Sequence, residues 1–199
     1  MVSGQKNSGP QSHEGPILPV LMFLVGASGS GKTTFYESYL KTVFPKLLKA
    51  SASPLEQTAT KQQRKQLLKA GESFVYQSGV FDLEVIRDAR AAGYNVEAAY
   101  LATEDSNLNL GRVLIRVNNG GSFAAISRIQ DDFSQGLNQL PTIRKLTDDL
   151  MLFDNTAHGR GVRLVAHFHE GQLMKLARTV PKWAQKTFRR EFEKLLDRG

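Results

Sequence analysis

Apolar residues recur along this chain in two rhythms, and their alternation predicts the architecture. Continuous apolar runs, the mark of strands buried on both faces, fall at 20–25, 73–77, 95–103, 150–154 and 162–168. Between them lie stretches of helical period. The segment 33–48 is amphipathic, with Pro45 near its end, and 58–70 is polar and basic and is closed by Gly71. In 81–92 the apolar residues Phe81, Val85, Ile86 and Ala89 form one stripe, ended by Gly93. The segment 106–118 stops at Gly120-Gly121, and 124–140 is predicted to end at Pro141. Strands separated by helices of this length predict βαβ units and an α/β fold, a mostly parallel sheet flanked by helices. No internal repeat is visible.

The first apolar run, Val20-Leu-Met-Phe-Leu-Val25, empties into Gly26-Ala27-Ser28-Gly29-Ser30-Gly31-Lys32-Thr33-Thr34. This satisfies the P-loop pattern with a buried strand before it and a helix after it, the context that gives the motif its meaning. Glycines let successive backbone N–H groups turn inward around phosphate oxygens, and the helix start adds partial positive charge. Residues 26–34 are therefore predicted to bind a nucleoside triphosphate, ATP or GTP. Lys32 would reach the β- and γ-phosphates, and Thr33 would place its hydroxyl on Mg²⁺.

Composition narrows the setting. The chain has 199 residues, 41% of them hydrophobic, enough for one core of ordinary size. With no cysteine it has neither disulfides nor thiolate metal sites, and a cytoplasmic setting is expected. Residues 1–17, rich in Gly, Ser, Gln and Pro, read as a flexible leader and not a signal peptide; no run is long enough to span a membrane. The net charge of +7 favours polyanionic partners, and a nucleotide already is one. The remainder divides into a P-loop kinase-like domain at 18–175 and a C-terminal amphipathic helix within 176–199, packed on the domain or on a partner. That helix starts at Pro181 and carries Trp183, Phe188, Phe192 and Leu195 near one face. Lys182, Lys186, Arg189, Arg190 and Lys194 would suit a nucleic-acid arm, but three interleaved acids favour packing, and nucleic acid is not expected as a partner.

Further motifs follow the P-loop in a particular order: Thr34-Phe-Tyr-Glu-Ser-Tyr-Leu40, Gly71-Glu-Ser-Phe-Val-Tyr-Gln-Ser78, Ala89-Arg-Ala-Ala-Gly-Tyr94, Arg112-Val-Leu-Ile-Arg116-Val-Asn-Asn-Gly120-Gly121 and Leu152-Phe-Asp154-Asn155-Thr156. In this order they resemble the short bacterial zeta-toxin type of P-loop kinase, over about residues 20–175. The resemblance implies a P-loop NTPase/kinase fold with a helical lid, and a kinase that phosphorylates a hydroxyl of a UDP-activated amino sugar. It also implies an antitoxin protein as a partner. Ser51, Gln77 and Ser78 fall at its substrate-facing positions, and Lys32, Arg112 and Arg116 at catalytic ones.

The chain departs from that family where chemistry is concentrated. Where the family's N-A-D supplies a proton-accepting Asp, this chain has Lys49-Ala50-Ser51, and a neutral hydroxyl cannot take that role. The family's E-T is Gln77-Ser78, its His after the double glycine is Ser122, and its R-R-Y-x-R-S is Asp131-Asp132-Phe133-Ser134-Gln135-Gly136. Arg128 shares a helix face with Asp132 and Gln135 and is a candidate to replace a lost arginine; the other reading of Arg112, Arg116 and Arg128 is solvated surface charge. Asp82 and Glu84 are candidate replacement carboxylates, although a first helical turn favours acids in any case. Asp154 is a candidate Mg²⁺ ligand through water, or the start of a simple turn. His167 and His169 alternate on a strand with no third ligand in view, and no histidine-bound metal is assigned. Two functions stay open: a kinase acting on a small hydroxyl-bearing substrate, and a catalytically impaired nucleotide-binding module that regulates or binds a partner.

Overall fold

A computed structural model of the chain describes residues 18–43, 48–51, 57–157 and 161–196. The proposed leader at 1–17 and Asp197 lie outside the described residues. The apolar runs assemble into a seven-stranded sheet of order β2-β3-β1-β4-β5-β6-β7, in which β1 is Val20–Val25, β2 Leu48–Ser51, β3 Phe74–Ser78, β4 Asn95–Ala102, β5 Asp149–Asp154, β6 Arg163–His169 and β7 Gln172–Leu176. Strands β1 to β5 are parallel, and β6 and β7 are antiparallel additions at one edge. The α/β class, mostly parallel, is as the hydrophobic pattern predicts.

Burial explains why the central strands read as unbroken apolar runs. One face of the sheet carries Leu21, Phe23, Phe74, Val96, Ala98, Tyr100, Leu150 and Leu152, all buried. Against it pack α3 (Gln57–Ala70), α4 (Leu83–Ala91), α6 (Ile126–Ile143), α7 (Lys182–Thr187) and α8 (Arg189–Leu196), through Leu67, Val85, Ile86, Leu140, Ile143, Trp183, Phe188 and Phe192. The other face, with Met22, Leu24, Ala99 and Leu101, is covered by the helical segment after β1: α1 (Lys32–Phe35), one π-helical stretch at Tyr36–Leu40, and α2 (Lys41–Val43). Helix α5 (Ser106–Asn118) follows β4 and contacts α6. Among the described residues, no helix is long and apolar enough to cross a membrane.

Local chemistry sets the helix starts. Asp82 caps α4 by accepting from Glu84 N and Val85 N at 3.0 and 3.3 Å, and Asp105 caps α5 by accepting from Asn107 N and Leu108 N at 2.8 and 3.2 Å. Capping is thus the role of Asp82 in the fold.

Several boundaries differ from the sequence prediction. The first helix does not run to Leu48: its described portion ends at Val43, and Leu48 begins β2, paired in register from Leu48↔Phe74 to Ser51↔Gln77. Main-chain pairing along the open edge of β3 is a long-range interaction that a helical period does not register. Pro141 does not end α6, which continues to Ile143. Proline removes one donor, yet Leu140 and Ile143 are fully buried and Arg144 N still bonds Leu140 O at 3.1 Å, so packing holds the last turn. The C-terminal helix is two helices broken at Phe188 (φ −121°, ψ 32°), which lets Trp183, Phe188 and Phe192 all enter one core; the Phe168 and Phe188 rings stand 4.8 Å apart. Strand β7 was not predicted. It hairpins onto β6 through Glu170-Gly171, both at positive φ (47° and 73°), the twist a two-residue turn needs.

Candidate active site

In an open α/β sheet, ligands bind at the carboxyl ends of the strands, where chain order reverses. Here the reversal flanks β1, since β3 pairs on one side and β4 on the other. The P-loop leaves β1 at that place. Register puts Val25 beside Ser78 and Tyr100, and Ser51 beside Gln77, so the P-loop, Ser51, Gln77 and Ser78 share one edge.

The loop is held from outside. At Gly29 (φ 84°) a Cβ would stand 2.3 Å from Asn109 O, and at Gly31 (φ 99°) it would stand 2.2 Å from Asn155 Nδ2, so both positions exclude a side chain by conformation and by space. Asn155 Nδ2 donates to Ser30 O at 2.8 Å. Arg112 donates to Asn155 O at 2.8 Å and reaches Gly29 O at 3.5 Å, tying α5 to both loops. Arg112 is therefore engaged as a brace of the phosphate loop. Nothing in the periodicity pointed to Asn155 as a clasp, although it belongs to the Asp154-Asn155-Thr156 motif.

Lys32 is folded onto its own loop, where its ammonium donates to Gly26 O and, at 3.1 Å, to Ala27 O. Burial pushes its pKa from 10.5 down to about 8; Asp132 opposes that shift and Arg116 adds to it. Arg116 and Asp132 thus both lie within electrostatic reach of Lys32. Arg116 is exposed, with Nε on Ser122 O at 3.1 Å.

Thr33 is exposed at the start of α1, and Gln77 Nε2 faces its hydroxyl at 3.5 Å. Gln77 Oε1 is buried with no hydrogen-bond partner among the described residues. The exposed Thr33 hydroxyl is placed where it would meet a Mg²⁺ carried by bound phosphates. Asp154 is occupied otherwise: it accepts from Thr156 N at 3.3 Å and from the Thr156 hydroxyl, and pairs with Arg163 at 3.3 Å.

Beside this edge, on the face packed by α4 and α6, a cavity of about 490 Å³ is lined by Tyr76, Ser78, Gly79, Phe81, Asp82 and Arg128, among others. The Ser78 hydroxyl donates to Val80 O at 2.6 Å and shapes its wall. Arg128 pairs through Nε with Asp132 Oδ1 at 3.1 Å, so its charge is partly neutralised by its own helix. Of the two acids at 131 and 132 the structure separates the roles: Asp131 is exposed, whereas Asp132 is only 7% exposed. A smaller cavity, about 240 Å³, lies on the opposite face of the sheet. His167 and His169 stand near it and share one carboxylate oxygen of Asp149, at 2.5 and 3.2 Å. No group of three potential metal ligands occurs among the described residues.

The chain matches no family model and no curated protein. Among solved structures it is similar to a chain of the PezAT chromosomal toxin-antitoxin system of Streptococcus pneumoniae, at 13% identity and TM-score 0.56, over 94% of this chain and 90% of that one. It is also similar to chains of the AvrRxo1-ORF1:AvrRxo1-ORF2 complex solved with sulphate ions and with ATP, each at 15% identity and TM-score 0.57. The chain spans 61% and 64% of the length of those two chains. The chain shares the fold of these chains.

Proposed function

We propose that this protein is a P-loop phosphotransferase that binds ATP or GTP with Mg²⁺ and passes the γ-phosphoryl group to a hydroxyl of a small substrate. The observation that carries this reading is the placement of Lys32, Thr33 and Gln77 at one sheet edge beside a cavity of about 490 Å³. Lys32 leaves the loop carbonyls and holds the β- and γ-phosphates, and the backbone N–H groups of 26–31 cradle them. Mg²⁺, when bound with the nucleotide, neutralises charge on the transferring phosphate. Arg116 and Arg128 are the cations that face the developing charge, while Arg112 keeps the loop in shape. The cavity beside Ser78 receives the acceptor. ATP bound in the AvrRxo1 complex supports the nucleotide assignment, and the sequence resemblance supports a UDP-amino-sugar as acceptor and an antitoxin as partner.

A second reading, a nucleotide-responsive binding module with little catalysis, is favoured by the pairing of Arg128 with Asp132 and the tethering of Arg112 to backbone carbonyls. One experiment separates the two. The protein is incubated with ATP and the small-molecule filtrate of a cell extract, with Lys32→Ala as control, and new phosphorylated metabolites are sought by mass spectrometry. A Lys32-dependent product supports the kinase and identifies its acceptor; nucleotide binding without any product favours the module.

A further inference from the structure

The far face of the sheet, away from the acceptor cavity, breaks a pairing rule. Glu97 of β4 and Asp149 of β5 are register partners on neighbouring strands, on a surface otherwise built from Met22, Ala99, Met151 and Phe153. Like charges set side by side in this way repel, and partial burial strengthens the repulsion. Among the described residues neither carboxylate is paired with a lysine or an arginine. Asp149 meets only His167 and His169, both through Oδ1 at 2.5 and 3.2 Å, and Glu97 accepts from Asn95 Nδ2 at 3.0 Å. Burial, and then Asp149 and Asp148, raise the Glu97 pKa above the usual carboxylate value, with His167 opposing them. The sheet face thus holds negative charge that the fold leaves largely uncompensated.

Glu97, Asp149 and His167 all line the cavity of about 240 Å³ on this face. The rest of its wall is apolar and partly aromatic: Phe35 stands 5.2 Å from Tyr39 and 4.9 Å from Phe153 between ring centres, with Met22 and Met151 on the sheet side. Tyr39 and Val43 are exposed, so the cavity is reached from solvent. We infer that this cavity is a second ligand site, which takes a small organic cation: an ammonium or guanidinium group against Glu97 and Asp149, on an aromatic or aliphatic body among Phe35, Tyr39 and Phe153. An apolar wall with a few placed polar groups is the usual make-up of a small-molecule site, and aromatic faces attract organic cations. The volume suits one ring with a short chain and not a peptide segment. Phe35 and Tyr39 belong to the helical segment that begins at Lys32, so the cavity and the phosphate loop share one element.

The test titrates 2-phenylethylamine, a cation at neutral pH, into protein carrying ¹³C-methyl methionine, beside its neutral analogue 2-phenylethanol. The Met22 and Met151 methyl signals are expected to shift, while that of Met174, exposed on β7, stays in place. The amine should bind about tenfold or more tightly than the alcohol, the worth of a charge-assisted contact. Glu97→Gln keeps the shape of the wall and removes one of two like charges, so it should fold and bring the two Kd values together. Tyr39→Ala should weaken both ligands. Equal affinity for amine and alcohol in the wild type, a comparison that needs no variant, would overturn the inference. So would unmoved Met22 and Met151 signals at millimolar amine, or an undiminished preference for the amine in a folded Glu97→Gln protein. No nucleotide is present in the titration, so failure of the phosphotransferase reading leaves its result untouched.

Discussion

A lysine that donates to the carbonyls of its own loop must leave them before it can hold phosphate. For Lys32 this exchange is favourable, because two neutral acceptors give way to a polyanion and charge-assisted bonds are the stronger kind. Lys32→Ala is expected to abolish tight binding of a fluorescent ATP analogue, and retained affinity would remove the loop from the mechanism. The lowered pKa adds a pH signature. Free Lys32 loses its proton near pH 8, while bound phosphate favours the charged form and raises that value. Affinity is therefore expected to be level below about pH 8 and to fall about tenfold per pH unit above it, a slope that disappears in Lys32→Ala. Arg112 gives a different result. Its removal leaves the Asn155 carbonyl without its donor, so Arg112→Met should cost about 1–3 kcal/mol of stability in urea denaturation, besides weakening nucleotide binding.

Between elements, glycines set how closely helices approach the sheet. Gly136 brings α6 onto β4, where a Cβ would stand 2.7 Å from Tyr100 Oη and 3.0 Å from its Cε2. Tyr100 is fully buried and cannot yield, so Gly136→Ala is expected to destabilise by about 1–3 kcal/mol through overpacking, seen as a lower denaturation midpoint at unchanged slope. Because α6 also carries Asp132 and Arg128, the same variant should disturb the cavity. The sequence showed α6 as a periodic helix but placed its end at Pro141, since local rules register the missing donor and not the burial of Leu140 and Ile143. Likewise β2 and β7 are held by pairing with β3 and β6, which no local window contains.

The molecule as a whole joins the C-terminal helices to the core that supports the site. Phe188 is fully buried against Phe168 of β6 and close to Phe192, and Trp183 meets Tyr100 edge-on at 6.2 Å. Phe188→Ala should therefore cost about 3–5 kcal/mol and lower the midpoint of a single unfolding transition followed by both fluorescence and circular dichroism. A separate early transition of the C-terminus would contradict the shared core. By itself the sequence determined the sheet's central strands, the order of helices and the P-loop, because each is encoded locally: a buried strand must be apolar throughout, and a phosphate loop needs glycines, Lys32 and Thr33 in fixed succession. Only the tertiary structure decided what surrounds that loop. Arg112 became a brace, Asn155 a clasp, and Asp132 a buried carboxylate packed against Gly79, because their surroundings depend on which backbone lies opposite. The distances from Arg112 to Asn155 O, from Asn155 to Ser30 O and from Asp132 to Gly79 are created by packing between elements far apart in the chain.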